Sequence, residues 1–313
     1  MRLEYGDRSR FIAGGTELVP LMKAGKLQAD HMVELSRLAE LRFLRPADGM
    51  TEISALPAGK STRPYGGLAG QSAQPDGLPP DMGLSVGPLV THAEIERSSL
   101  LRGPWLALAE ASASIREPQV KNLGTLGGNV AYAVPSADTA PPLLAFDALL
   151  TLRGPQGVRS VPISEFFVSP YRTVLRPAEM LVEIRLPGTG VHFGSAFCKV
   201  GRHRGLGLSV VSLAASLQLE AGMIVQARVA MGAAAPTPRR VAEAESSLLG
   251  ERPDAALFRE AGRLVARDAE PRAGSIRGSP EHKRDLLMAL TERALGLAAV
   301  RADANSGAER GQG

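Results

Sequence analysis

The chain is poor in the residue types that usually carry chemistry. It has one cysteine, Cys198, among 313 residues. A single thiol excludes an internal disulfide, and it excludes a cysteine-ligated iron–sulfur cluster held by this chain alone. Histidine is sparse. His31, His92, His192, His203 and His282 are the full set, and no two stand at a metal-ligand spacing. Each is expected as a surface or capping residue. Aromatic residues make up 4% of the chain, and its basic residues are scattered. Nucleic-acid binding draws on basic stripes with interleaved aromatics, so no nucleic-acid partner is expected. No apolar run approaches the roughly 18 residues of a membrane-spanning helix. Residues 1–7 contain no apolar signal core. The expectation is a cytoplasmic protein that does not span a membrane.

What the chain does have is glycine in two tight runs. In the first, Ala13-Gly14-Gly15-Thr16-Glu17-Leu18 follows the apolar pair Phe11-Ile12. In the second, Gly124-Thr125-Leu126-Gly127-Gly128-Asn129 precedes Asp138 by nine residues. Glycine lacks a Cβ, so such a backbone turns sharply and brings its N–H groups close to a ligand. Thr125 and Asn129 add side-chain donors. Donors without a fixed cation suit a diphosphate, and Asp138 suits a sugar hydroxyl. The alternative is a pair of tight loops, with Asp138 serving only as a helix N-cap.

Two further patterns carry less. Gly83-Leu84-Ser85-Val86-Gly87 matches the spacing of a nucleophile elbow, but Pro88-Leu89-Val90 continues extended where that motif needs a helix. Gly59-Lys60-Ser61 lacks the glycine that a phosphate-binding loop needs at position 54.

Along the chain, residues 18–24 are expected as a short helix and 32–35 as a strand. Residues 54–82 are rich in Gly, Pro, Ser and Gln. Their prolines rule out a long helix or a central strand, which points to an exposed insertion. Thr91 with Glu94 forms a capping box, and residues 100–115 have helical apolar spacing. A helix begins near Asp138. Strands are expected at 148–152, 161–167, 180–187, 192–200 and 223–231. Residues 208–219 are strongly apolar without clear alternation, and either strand or helix fits. Helices are expected at 242–249, 255–267 and 282–295. The assignment is a first domain over 1–190, a second domain over 191–300, and a disordered tail over 301–313.

The two glycine runs, Pro135-Ser136-Ala137-Asp138, residues 175–181, residues 196–202 and residues 232–240 together resemble the FAD-binding medium subunit of the molybdenum hydroxylases. That is the family of xanthine dehydrogenase and the carbon monoxide dehydrogenase flavoprotein. The resemblance covers nearly the whole chain. It implies an α+β fold: a two-part FAD-binding domain of the vanillyl-alcohol-oxidase-like (PCMH) type, then a small domain with a short sheet and packed helices. It implies FAD contacts at Phe11, Ile12, Ala13, Gly14, Gly15, Thr16, Glu17 and Leu18. Further contacts follow at Thr125, Leu126, Gly127, Gly128, Asn129 and Asp138, with Ile115 and Leu181 against apolar parts of the cofactor. Lys199 reaches it from the second domain, and no side chain acts as acid or nucleophile. Thr16 stands where covalent flavoproteins often have histidine, so FAD is expected to be non-covalent. Members of the family carry a longer segment before the first glycine turn than the twelve residues found here. Gly205-Leu206-Gly207 replaces a loop that is often acidic.

The resemblance further implies an oxidoreductase complex, a dimer of heterotrimers. A large subunit holds molybdopterin and a small subunit holds two [2Fe-2S] clusters. Electrons pass through FAD to a nicotinamide, a quinone or oxygen. The competing readings are a scaffold that keeps the fold without flavin, and a self-contained flavin oxidase.

Overall fold

A computed structural model describes residues 9–47, 82–201 and 207–305. The expected insertion, apart from Met82, lies outside the described residues. So do His203, Gly205, Leu206 and residues 306–313.

The first glycine turn hangs on a small parallel pair. Strand β1, Ser9–Ile12, precedes the turn, and helix α1, Leu18–Lys23, follows it. Strand β2, His31–Glu34, runs beside β1 in parallel register, with Ser9 opposite His31 and Ile12 opposite Glu34. Strands β3, Leu44–Ala47, and β4, Gly83–Val86, then pair antiparallel. Ser85 of the elbow-like pattern lies buried within β4, and no helix follows it directly.

Helix α2, His92–Arg97, starts at the expected capping box. Thr91 Oγ1 accepts from the Glu94 amide, and Glu94 accepts from the Thr91 amide. The helix expected over 100–115 is shorter. Gly103 has φ +78° and Pro104 follows, so α3 spans only Leu106–Ala113. A left-handed glycine before proline ends one turn and starts another. Helices α4, Pro118–Leu123, and α5, Leu126–Tyr132, flank the second glycine turn. Thr125 caps α5 by accepting from the Gly128 amide at 3.1 Å. Helix α6, Ala140–Ala145, opens on Pro141 and Pro142, where missing amides cost no helical bond.

Strands β5, Leu149–Gly154, and β6, Gly157–Pro162, form a hairpin. The short hairpin β7, Phe167–Ser169, with β8, Arg172–Thr173, follows, then β9, Met180–Leu186. The resulting five-stranded sheet has the order β3-β4-β9-β5-β6.

A second sheet, β10-β11-β12-β13, is antiparallel throughout. It comprises β10, Phe193–Gly201, β11, Ser209–Glu220, β12, Met223–Gly232, and β13, Arg239–Arg240. Helices α7, Ala242–Leu248, α8, Ala255–Asp268, and α9, Pro280–Ala304, complete the chain.

The segment 208–219 is thus a strand, and its weak alternation has a cause. Ala214 faces a core shared with Leu108, Leu126 and Leu150, while Leu213 and Ala215 face a core shared with Val265 and Leu295. A strand buried on both faces has no polar side to alternate with.

The end of α9 corrects the expected tail, because residues 301–304 are helical. Arg301 donates to Glu110 Oε1 and to the Ser195 carbonyl, each at 2.6 Å. At the same seam Ser195 Oγ donates to the Pro104 carbonyl at 2.6 Å and accepts from the Ala107 amide at 3.2 Å. Glu110 accepts from the Phe197 amide at 2.9 Å. These bonds fix the second sheet against α3. Among the described residues, no helix is long and apolar enough to cross a membrane.

Candidate functional site

The two glycine turns meet. A Cβ on Gly14 would lie 1.7 Å from the Leu123 carbonyl oxygen, backbone against backbone. Glycine is therefore required there by close approach rather than by a left-handed φ. Gly15, by contrast, does adopt φ +68°. Gly127 packs in the same way on Pro88, where a Cβ would meet the ring at 2.4 Å. A Cβ on Gly128 would meet only Thr125 Oγ1, at 2.9 Å.

The turns differ in what their amides do. In the second turn the Leu126 amide donates to Val90, that of Gly127 to Pro88, and that of Asn129 to Thr125, all at 2.9 Å. The Gly128 amide goes to Thr125 Oγ1. The expectation that these N–H groups press on a ligand is therefore corrected for Leu126, Gly127, Gly128 and Asn129, while the Thr125 amide has no acceptor among the described residues. A helix starting at Leu126 takes its first amides for its own cap and for the neighbouring chain. In the first turn the amides of Ala13, Gly14, Gly15 and Thr16 find no acceptor among the described residues. That run is the larger set of open backbone donors.

Both turns open on one cleft of ≈ 480 Å³, within the range of about 300–1,000 Å³ typical of small-ligand sites. Fifteen of the seventeen expected site residues line it: Phe11, Ala13, Gly14, Gly15, Thr16, Glu17, Leu18, Ile115, Thr125, Gly127, Gly128, Asn129, Asp138, Leu181 and Lys199. Ile12 and Leu126 do not. Ile12 packs its side chain over Gly15, and Leu126 is fully buried in the core. Both sit where the chain enters a turn, so their side chains point into the fold.

Asp138 is not a helix cap; Thr139 holds that place, without a side-chain bond. Its carboxylate is gripped on both oxygens. Lys199 Nζ lies 2.6 Å from Oδ2, and Ser209 Oγ donates to Oδ1 at 2.5 Å. Lys199 is mostly buried rather than free on the surface. Asn129 Oδ1 accepts from Thr139 Oγ1 at 2.6 Å, which leaves its NH₂ as the side chain's donor.

The polar wall residues outside the expected set include Tyr132, Ser136 and His92. Tyr132 lines the cleft and bonds Glu17; burial, then the Glu17 charge, pushes its phenol up to about 12. Burial raises the Glu17 carboxyl, while the Tyr132 bond lowers it. The signal for Tyr132 was available, since it lies three residues past Asn129 on one helix face. Ser136 is buried in the wall, and its hydroxyl has no hydrogen-bond partner among the described residues. His92 corrects the surface assignment: it is 2% exposed and lines the cleft. Burial, then the charge of Lys121, lowers its pKa to about 4. Among the described residues no cluster of His, Cys, Asp and Glu is arranged to hold a metal.

A family model described as the FAD-binding domain in molybdopterin dehydrogenase matches residues 2–62 and 80–189. The chain belongs to that family. A second model, the CO dehydrogenase flavoprotein C-terminal domain, matches residues 195–298. The flavoprotein is 29% identical over 301 residues to the xanthine dehydrogenase FAD-binding subunit of Escherichia coli O157:H7, spanning 96% of this chain and 92% of that one. It is 28% identical over 302 residues to the carbon monoxide dehydrogenase medium chain of Hydrogenophaga pseudoflava, spanning 95% and 92%. Its fold superposes on a solved carbon monoxide dehydrogenase from Hydrogenophaga pseudoflava with a TM-score of 0.81, at 28% identity, covering 96% and 92%. For quinoline 2-oxidoreductase from Pseudomonas putida 86 the TM-score is 0.77, at 27% identity, covering 94% and 90%.

The expected α+β architecture and family are therefore shown, and the flavoprotein is an FAD-binding subunit of the molybdenum hydroxylase family of oxidoreductases. Its cleft fits the cofactor on physical grounds. Open amides at the first turn suit a diphosphate, and the apolar walls at Phe11, Leu18, Ile115 and Leu181 suit flat rings.

Proposed function

We propose that this chain is the electron-transfer subunit of a heterotrimeric molybdenum hydroxylase. A large subunit with molybdopterin oxidises the substrate, and a small subunit with two [2Fe-2S] clusters delivers electrons. The acceptor is a nicotinamide, a quinone or oxygen, and the complex is a cytoplasmic dimer of heterotrimers. The observation that carries this reading is the meeting of the two glycine turns over one cleft, with the first turn's amides unspent among the described residues. The full-length likeness to a carbon monoxide dehydrogenase medium chain supports the partner subunits.

FAD, when bound, supplies the redox chemistry and links one-electron donors to a two-electron acceptor. The chain's own residues bind, orient and shield. The amides of Ala13 to Thr16 donate to the diphosphate. Asp138, held by Lys199 and Ser209, presents a fixed acceptor to a polar group of the cofactor. Ile115 and Leu181 exclude water from its rings. No side chain is assigned as acid, base or nucleophile. Thr16 offers no ring nitrogen for a covalent flavin link, so binding is non-covalent.

The test is the absorption spectrum of the chain, purified with its partner subunits and excess FAD and then desalted. Stoichiometric FAD released by acid is the expected result. A folded complex that retains no flavin would sink this reading and leave a scaffold.

A further inference from the structure

His92 has no place in the binding set described above, yet the structure puts it in the wall of the cleft. It begins α2, and its amide donates to the Gly124 carbonyl at 3.1 Å. The adjacent Thr91 bridges to Thr125. The ring edge faces Gly124: a Cβ there would lie 3.1 Å from His92 Cδ2 and 3.5 Å from Nε2. Gly124 in turn abuts Gly14, whose ideal Cβ lies 3.1 Å from the Gly124 nitrogen. The imidazole therefore packs on Gly124 at the contact between the two glycine turns, and it lines the cleft that both turns open on.

Its nitrogens make no hydrogen bond among the described residues. Nδ1 is sealed from solvent and has no hydrogen-bond partner, and Nε2 has none among the described residues. Burial, and then the neighbouring ammonium of Lys121, disfavour a cationic ring. A neutral imidazole carries one N–H. A sealed, unpaired N–H is a costlier arrangement than a sealed lone pair. The proton thus belongs on Nε2, the nitrogen on the edge turned toward the glycine contact. A neutral donor is suited to an anionic oxygen in a place where a second cation is disfavoured.

We infer that His92 is a cofactor-binding residue, whose Nε2–H donates to an oxygen of the FAD diphosphate at the paired glycine turns. The inference rests on the FAD reading above. Glutamine carries its amide nitrogen near the imidazole Nε2 position, and asparagine near Nδ1.

The experiment is a fluorescence titration of FAD into the apo complex for the wild type and for His92→Gln, His92→Asn and His92→Leu. Thermal melts of each apo protein accompany it. His92→Leu and His92→Asn are expected to bind FAD about tenfold more weakly, with His92→Gln restored to within a few-fold of wild type. Equal affinity in all four proteins, or restoration by asparagine rather than glutamine, would overturn the inference. If the leucine variant fails to fold, the glutamine–asparagine pair decides alone. A wild type that binds no FAD overturns the parent reading instead, which keeps the two failures distinct.

Discussion

Lys199 Nζ sits 2.6 Å from Asp138 Oδ2, across 61 positions of sequence. The pair joins β10 of the second sheet to the loop that follows the second glycine turn. Ser209, on the next strand, completes the grip. The wall of the cleft is therefore built by both parts of the chain.

Removing one member of this pair leaves a buried charge without its partner. Asp138→Ala is expected to cost about 3 kcal/mol, read from urea unfolding of the apo protein. Asp138→Asn with Lys199→Met should recover part of that loss, because no lone ion remains. A single variant as stable as wild type would show that the pair is solvated in solution.

Gly14 and Gly128 are expected to respond differently to alanine. At Gly14 the new Cβ meets a backbone carbonyl at 1.7 Å, so Gly14→Ala forces the two turns apart. Flavin retention after desalting should be lost, with about 2 kcal/mol of stability. At Gly128 the new Cβ meets only a hydroxyl at 2.9 Å. Gly128→Ala should keep its fold and most of its flavin, whereas a bulky residue there, such as Gly128→Leu, should exclude the cofactor. Equal retention by Gly14→Ala and wild type would count against the close approach.

Two buried groups set a pH dependence. The folded state holds His92 near a pKa of about 4, below its ordinary 6.5. The unfolded chain therefore takes up a proton that the folded chain refuses. The stability tied to this group is fully present above pH about 6.5 and is lost as pH falls toward about 4. Glu179 acts lower. Its bond to Arg159 holds the carboxyl at about 2, against 4.5. Its contribution is lost as pH falls from about 4.5 toward about 2. Stability measured against pH should lose the upper slope in His92→Gln and the lower one in Arg159→Gln. An unchanged profile in either variant would refute that assignment.

Arg301→Ala should cost about 2 kcal/mol, since it removes charge-assisted bonds at the seam to Glu110 and to the Ser195 carbonyl. Urea unfolding reads this directly. A neutral result would mean that the last turn of α9 carries no load.

The parts legible in the sequence were those set by neighbours in the chain. Thr91 and Glu94 cap a helix across three residues, and the two glycine turns declared themselves by composition. Fifteen expected site residues line the cleft: those from Phe11 to Leu18 follow one strand–turn–helix, whereas Ile115, Asp138, Leu181 and Lys199 were expected only from the family resemblance. What escaped depends on distant partners. The amides of Leu126 and Gly127 are used by Val90 and Pro88, which no local pattern reveals. His92 looked like any first-turn histidine until Gly124 closed over it. Residues 208–219 hid their strand because a second core covers the face that would otherwise be polar.

The chain contains one tryptophan, Trp105, at 2% exposure. It stands between Pro104 and the start of α3, flanked by the two groups that Ser195 ties to the second sheet. The protein thus carries its own optical strain gauge at the joint between its two parts. Indole emission shifts to longer wavelength when water reaches the ring. Opening of this seam can be timed by intrinsic fluorescence, separately from flavin release, without attaching any label.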